Sequence, residues 1–401
     1  MIRALSITLL FCFSIAGHAQ NQPEDYEQGL LQTISDIQQS NHEQALTDTR
    51  KFLQQYPTSK VAQLLLADLI TANAGVLSSI GSGISAEPEL NDLTFELRQR
   101  LSHQSTPALQ GLLPDNIIQL SEHQDYVIVI DQTESRLYVY RNQQGTPLLE
   151  TSYFVTIGLK GAGKEKSGDQ KTPVGVYHVT RHIEGRKLPD LYGKGAFPVN
   201  YPNSWDLRKN RSGDGIWLHG TPSYTYNRAP WASDGCMVVS NEDFLDISRY
   251  INPDQHTTII NTHKINWITA DAWREQQQMM RQALDQWISD WESNIIDNYM
   301  QNYSESDFSS NGRDYRAWET YKRRVNHNRK NIDIEYSNLN IFKYPGEQNL
   351  VLMQYDQAYR SSNLNADNPK ELFWQKQGNH WKIVYEGTRK LGHSGTSRAR
   401  N

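Results

Sequence analysis

Cysteine is nearly absent: two residues in 401 are too few for a disulfide framework. One of them, Cys12, falls in the opening segment MIRALSITLLFCFSIAGHAQ, which has a basic Arg3, an apolar run from Ala4 to Ala16, and small residues at Gly17 and Ala19. This is the pattern of an export signal covering residues 1–19. The run is short for a membrane span, and no other stretch approaches 18 apolar residues. Phe11 before Cys12 argues against a lipid-attachment box. A soluble exported protein is expected. Strong charge of one sign is also missing. A net charge of −5 excludes a polybasic surface, so no nucleic-acid partner is expected. No regularly spaced Cys, His, Asp or Glu set suggests a metal. Gly158–Glu165 (GLKGAGKE) fits G-x-x-x-x-G-K, but Glu165 stands where a Ser or Thr is needed, and a Thr172-Pro173 turn follows instead of a helix. No cofactor is therefore expected.

What is present changes character along the chain. Residues 20–121 read as a helical region and linker. Leu30, Ile34 and Ile37 recur at helical spacing, Ala45 to Leu53 follow, and Tyr56-Pro57 stops the pattern before Val61, Leu64, Leu65 and Leu69. The run EQALTDTRKFLQQYPTSKVAQLLLADL resembles one tetratricopeptide-like hairpin. A single hairpin leaves a face uncovered, so it should pack on the following domain, on more helix, or on a second copy in a homodimer. Residues 75–121 mix Gly, Ser, Pro and Asn around one helical patch near Leu93–Leu101. From Tyr126 the period becomes two: VIVI and RLYVY, separated by DQTES, read as a hairpin, and Leu148–Ile157 and GVYHVTR as further strands. After His263, Leu284, Trp287, Ile288, Trp291, Ile295 and Tyr299 share one helical face. Strands are expected at Ile332–Tyr336, Leu350–Tyr359, Leu372–Gln375 and Trp381–Tyr385, then a basic, disordered tail at 391–401.

The stretch with the densest chemistry is Asp214–Asn241 (DGIWLHGTPSYTYNRAPWASDGCMVVSN), holding His219 and, 17 residues later, Cys236. A thiol is a poor nucleophile at its ordinary pKa, and a neighbouring imidazole can take its proton. Ser233-Asp234-Gly235 suits a tight turn whose backbone N–H groups could face a developing oxyanion. A lone cysteine is commonly a small buried hydrophobe. Here it remains as the one thiol of the expected mature chain and calls for a role.

His219-Gly220-Thr221 with Ser233-x-Gly235-Cys236 resembles the active-site signature of the L,D-transpeptidases of the YkuD fold. Tyr126–Tyr140 resembles that family's opening hairpin, and GDQKTPVG at Gly168–Gly175 its GDxKTPxG turn. The resemblance spans about Gln124 to His263, within an expected catalytic domain at 122–263. The final segment, 269–390, resembles the nuclear transport factor 2-like (NTF2-like) cone fold. The expected class is thus multidomain α+β: helical N-terminus, mainly-β catalytic domain, α+β C-terminal domain. This layout also resembles cell-shape L,D-carboxypeptidases.

The resemblance implies a periplasmic enzyme acting on peptidoglycan stem peptides. Cys236 would attack at the L-centre of diaminopimelate, His219 would be the base, the Gly220 carbonyl would orient the imidazole, and Gly235 and Cys236 N–H would hold the oxyanion, with Ser233 steadying the turn. A second stem or an anchored protein as acceptor gives transfer, and water gives carboxypeptidase or amidase action. Asp234 and Val238 replace the family's usual His and Arg, which removes a carboxylate clamp. A non-catalytic wall-binding protein is a third reading, and rapid alkylation of Cys236 near neutral pH would argue against it. Tyr201 and Asn203 in FPVNYPN, and Tyr224, Arg228 and Trp231 between His219 and Cys236, are candidate substrate contacts. For the first two, turn chemistry is an equal alternative.

Overall fold

The computed structural model describes residues 24–73, 87–104, 109, 111–327 and 329–389. The expected export segment with Cys12, and the tail 391–401, lie outside the described residues.

Four N-terminal helices come first: α1 (Glu24–Gln38), α2 (His42–Gln55), α3 (Lys60–Asn73) and α4 (Glu87–Gln104). In α2 the buried residues are Ala45, Thr49 and Phe52, one stripe at helical spacing, and the chain turns at Tyr56 before Pro57. The helical patch expected in the linker extends to an 18-residue helix. Tyr26, Leu30, Ile34, Phe52, Val61 and Leu65 form a small core that also contains Tyr226 from the loop between His219 and Cys236. The hairpin's open face is therefore closed by more helix, α1 and α4, together with Tyr226 of the catalytic domain.

That domain is built on a five-stranded sheet in the order Thr146–Phe154, Arg136–Gln143, Tyr126–Asp131, Thr258–Thr262, Gly175–His178. The expected hairpin is there, with Asp131 opposite Arg136. A second sheet runs Met237–Val238, Trp217–His219, Gly195–Pro198, Ile183–Glu184. Ile128, Ile130, Leu218, Met237 and Ile259 pack between the two sheets. The other face of the first sheet, with Val127, Val129, Tyr138 and Ile260, packs on Phe342, Tyr344, Leu352 and Phe373 of the C-terminal domain. Burial on both faces explains why Tyr126–Asp131 is a continuous apolar run and not an alternating one.

The C-terminal sheet is antiparallel, in the order Ile117–Gln119, Asp333–Lys343, Leu350–Arg360, Asn365–Gln377, His380–Thr388. Its edge strand Ile117–Gln119 comes from the segment read as linker, so the chain joins its last domain before entering the catalytic one. The long helix runs Ala270–Glu292 and ends earlier than the periodicity suggests. Asn294 adopts φ 57°, a short helix Ile296–Met300 follows, and Ile295 is exposed.

Candidate active site

Trp217–His219 and Met237–Val238 are parallel neighbours, with Leu218 opposite Met237 and His219 opposite Val238. Leu218 and Met237 enter the core. Side chains alternate along a strand, so His219 faces away from that core, on the same side as the position of Cys236, one step before Met237. The structure thus places the imidazole and the sulfur on one face of adjacent strands.

His219 is buried, with the Tyr192 ring edge-on at 5.0 Å. Its Nδ1 lies 2.7 Å from the Gly220 carbonyl. A carbonyl only accepts, so Nδ1 carries the proton and Nε2 keeps its lone pair. Burial, and secondarily Arg228, hold the imidazole pKa down to about 4 against the Gly220 contact. Cys236 is half-buried and its thiol donates to the Gly215 carbonyl at 3.4 Å. Burial pushes that thiol up to about 11, opposed by the Trp217 backbone and by the charges of Arg228 and Lys164. Both shifts favour neutral thiol beside neutral imidazole, not a resting ion pair. They also remove the expectation of rapid alkylation at neutral pH. Among the described residues no hydrogen bond joins Sγ to the ring. The thiol must turn from Gly215 to meet Nε2, as is common before substrate binds.

The turn before the sulfur is tied down from beneath. Ser233 Oγ donates to the Cys236 carbonyl at 2.7 Å and accepts from Gly235 N–H at 3.1 Å. The Gly235 amide expected to face the oxyanion is thus already engaged, which corrects half of that assignment and leaves the Cys236 amide. Thr172 Oγ1 accepts from Gly158 N–H and donates to the Gly235 carbonyl. Gly235 has φ 122°, and a Cβ there would sit 2.6 Å from the Lys171 carbonyl, so only glycine fits. Asp169 accepts from Lys164 Nζ and from the Glu165, Lys166 and Lys171 amides. Those bonds hold its carboxyl far below the usual range against burial. Lys164 of the phosphate-loop look-alike is therefore a structural cation.

Sequence reading missed Asn241. Its Oδ1 accepts from Lys194 N–H and its Nδ2 donates to the Thr221 carbonyl, each at 2.8 Å. A Cβ on Gly220 would come within 2.4 Å of that Oδ1. Asn241 thereby ties down the Thr221 carbonyl, one peptide beyond the Gly220 carbonyl that orients His219, and packs against Gly220. Its position at the start of the Asn241–Ile247 helix gave no chemical signal.

Two proposed substrate contacts are structural. Tyr201 is buried in the core and donates to the Ser212 carbonyl. Asn203 caps the Ser204–Arg208 helix and donates to the Val176 carbonyl and the Tyr344 hydroxyl. Burial and capping leave neither free for a ligand, a correction in favour of turn chemistry. Tyr224 is 68% exposed. Trp231 is exposed and packs edge-on against Phe95 of α4. Arg228 makes one long bond, Nη1 to the Ala232 carbonyl at 3.4 Å. Between these, Tyr226 stacks on Tyr26 of α1 at 4.0 Å and its amide donates to the Thr58 carbonyl, so the N-terminal helices hold the loop that joins His219 to Cys236.

Residues 125–260 match the family model of the YkuD L,D-transpeptidase catalytic domain, and residues 279–387 that of the Cds6 C-terminal NTF2-like domain. Among solved structures the chain is similar to Bd1075 of Bdellovibrio bacteriovorus, at 28% identity and TM-score 0.61, over 69% of this chain and 98% of that one. It is also similar to the helical cell shape determining protein Pgp2 of Campylobacter jejuni, at 24% identity and TM-score 0.58, over 68% of this chain and 96% of that one. The latter likeness speaks to the fold. No curated protein matches the chain. The chain carries an L,D-transpeptidase catalytic domain followed by an NTF2-like domain, an α+β architecture behind N-terminal helices, as the sequence led one to expect. No described helix is long and apolar enough to cross a membrane.

Proposed function

We propose that the protein is an exported cysteine acyltransferase of peptidoglycan that cleaves the diaminopimelate–D-Ala bond of stem peptides through a thioester on Cys236. The observation that carries this reading is the His219 lock. Nδ1–H bonded to the Gly220 carbonyl leaves Nε2 as the base, on the strand beside the one that Cys236 leads into. Nε2 takes the thiol proton as sulfur bonds to the carbonyl carbon at the L-centre. The Cys236 amide faces the oxyanion. Collapse breaks the C–N bond, and D-Ala leaves as an amine with the proton from Nε2. An amine or water then opens the thioester, with Nε2 again the base.

One observation favours hydrolysis as a second reading. Val238, opposite His219, is buried. It cannot bind a carboxylate as the Arg at the matching family position would, so this place offers no clamp for an incoming stem. A role in cell shape, which the name of the Campylobacter protein states for that protein, fits this branch of the proposal. Incubating the protein with purified tetrapeptide muropeptides and weighing the products tests both. Loss of D-Ala alone means hydrolysis, and a coupled dimer mass means transfer. Unchanged muropeptides would leave the non-catalytic wall-binding reading.

A further inference from the structure

A cleft of about 200 Å³ opens between the N-terminal helices and the loop that carries Tyr224 and Arg228. Lys60 from the start of α3, and Glu89, Asp92 and Glu96 from α4, form one wall, and Tyr224 and Arg228 the other. Glu96 is committed to Arg100 at 2.9 Å. Lys60, Glu89, Asp92 and Arg228 make no ion pair with any described residue. Charges of both signs thus face one concavity without neutralising each other. Exposed charges usually do nothing for stability, but Arg228 is half-buried and its charge reaches both His219 and Cys236. The cleft is also lined by Ala232, on the strand Trp231–Ser233 that leads into the turn before Cys236. Its α4 wall is held against the loop by Phe95 on Trp231.

We infer that this cleft seats the zwitterionic side-chain end of the donor's diaminopimelate, Arg228 taking its free carboxylate and Glu89 or Asp92 its ammonium. The inference rests on the proposed function and adds a specificity site to it. A bare carboxylate would meet two carboxylates on α4, and a bare amine would meet Arg228 and Lys60. An α-amino acid terminus satisfies both walls. A guanidinium also binds a carboxylate through two parallel bonds, which suits Arg228 to this part. The N-terminal helices then act as half of a substrate-reading surface.

Three tetrapeptide muropeptides test it: one with the free side-chain end, one amidated at its carboxyl, and one acetylated at its amine. For the intact protein, amidation is expected to lower kcat/KM roughly tenfold or more. Arg228→Gln should lose a similar factor on the free substrate and cease to distinguish the amide, with Arg228→Lys intermediate. The Glu89→Gln, Asp92→Asn double variant should cease to distinguish the acetylated peptide. Calorimetry of the same peptides on Cys236→Ala protein reads the cleft without turnover. Turnover with equal rates on all three peptides would overturn the cleft and leave the enzyme standing. Graded binding without turnover in the intact protein would overturn the enzyme and leave the cleft. Absence of binding to Cys236→Ala would overturn the cleft.

Discussion

Lys322 and Glu386 in the C-terminal domain, and His219 and Cys236 in the catalytic domain, are both ionisable pairs withdrawn from water, and they are treated in opposite ways. Lys322 Nζ lies 3.9 Å from Glu386 and over the rings of Trp291, Trp318 and Tyr299 at 4.4–4.9 Å. Glu386 also accepts from Tyr303 and pairs with Lys370. Burial opposes its charge, yet the two lysines hold it down at about 2. Burial lowers Lys322 to about 8, still charged at neutral pH. The catalytic pair has no such saturation. Its groups stay neutral, each bonded to a backbone carbonyl instead of to the other. A saturated pair fixes a fold and resists change. An unsaturated one keeps a lone pair and a thiol available for a reaction that creates charge only as it proceeds.

The contrast breaks most sharply at the sulfur. Cys236→Ala should lower muropeptide turnover by about three orders of magnitude or more while leaving the melting temperature within about 2 °C. Substantial residual turnover would mean another nucleophile. Next, Glu386→Gln should cost about 3–5 kcal/mol of stability, because it leaves the buried Lys322 and the half-buried Lys370 without a counter-charge. A urea midpoint on the full chain reads this, and the rate per folded molecule should not move. The folded pKa of Glu386 lies below its ordinary 4.5, so its contribution is present above that pH and fades as pH falls towards about 2. Asn241→Ala should lower kcat about 10–100-fold with little change in KM, since it loosens the Thr221 peptide next to the one that aims His219. An unchanged kcat would show that the Gly220 carbonyl needs no support.

The smallest effect is in the pH profiles. With a folded pKa near 4, His219 remains an unprotonated base well below 6.5, so the acid limb of kcat/KM should fall near pH 4. Alkylation of Cys236 should climb about tenfold per pH unit through neutrality without levelling before about 11. A plateau at pH 7 would point to the ion pair instead. The same depressed imidazole pKa penalises folding as pH drops from 6.5 towards 4, because only the unfolded chain takes the proton there.

Local pattern carried much of this. The run YVIVID, the turn after it and RLYVY pair as the hairpin that two strand-like runs around a turn-rich break led one to expect, although the first is buried on both faces and does not alternate. GDQKTPVG and SDGC were readable through their resemblance to a family signature, and in the second the structure puts Gly235 at φ 122°, an angle that favours glycine. Where partners are distant in sequence, the pattern misled. Ile117–Gln119 has too few residues to announce a strand, and its neighbour is Asp333–Lys343. Tyr201 and Asn203 looked like cleft residues because Pro and Asn mark irregular chain. Their partners, Ser212 for one and Val176 and Tyr344 for the other, made them structural.

By itself the sequence determined that one thiol and one histidine stand at strand ends beside glycines, because steric limits on φ and side-chain alternation act over a few residues. Only the tertiary structure decided that the two share a face in neutral form, that Asn241 braces the peptide after the orienting carbonyl, and that helices near the N-terminus wall the cleft. Burial and long-range contact set pKa, orientation and access, and none of these is a property of neighbouring residues in the chain.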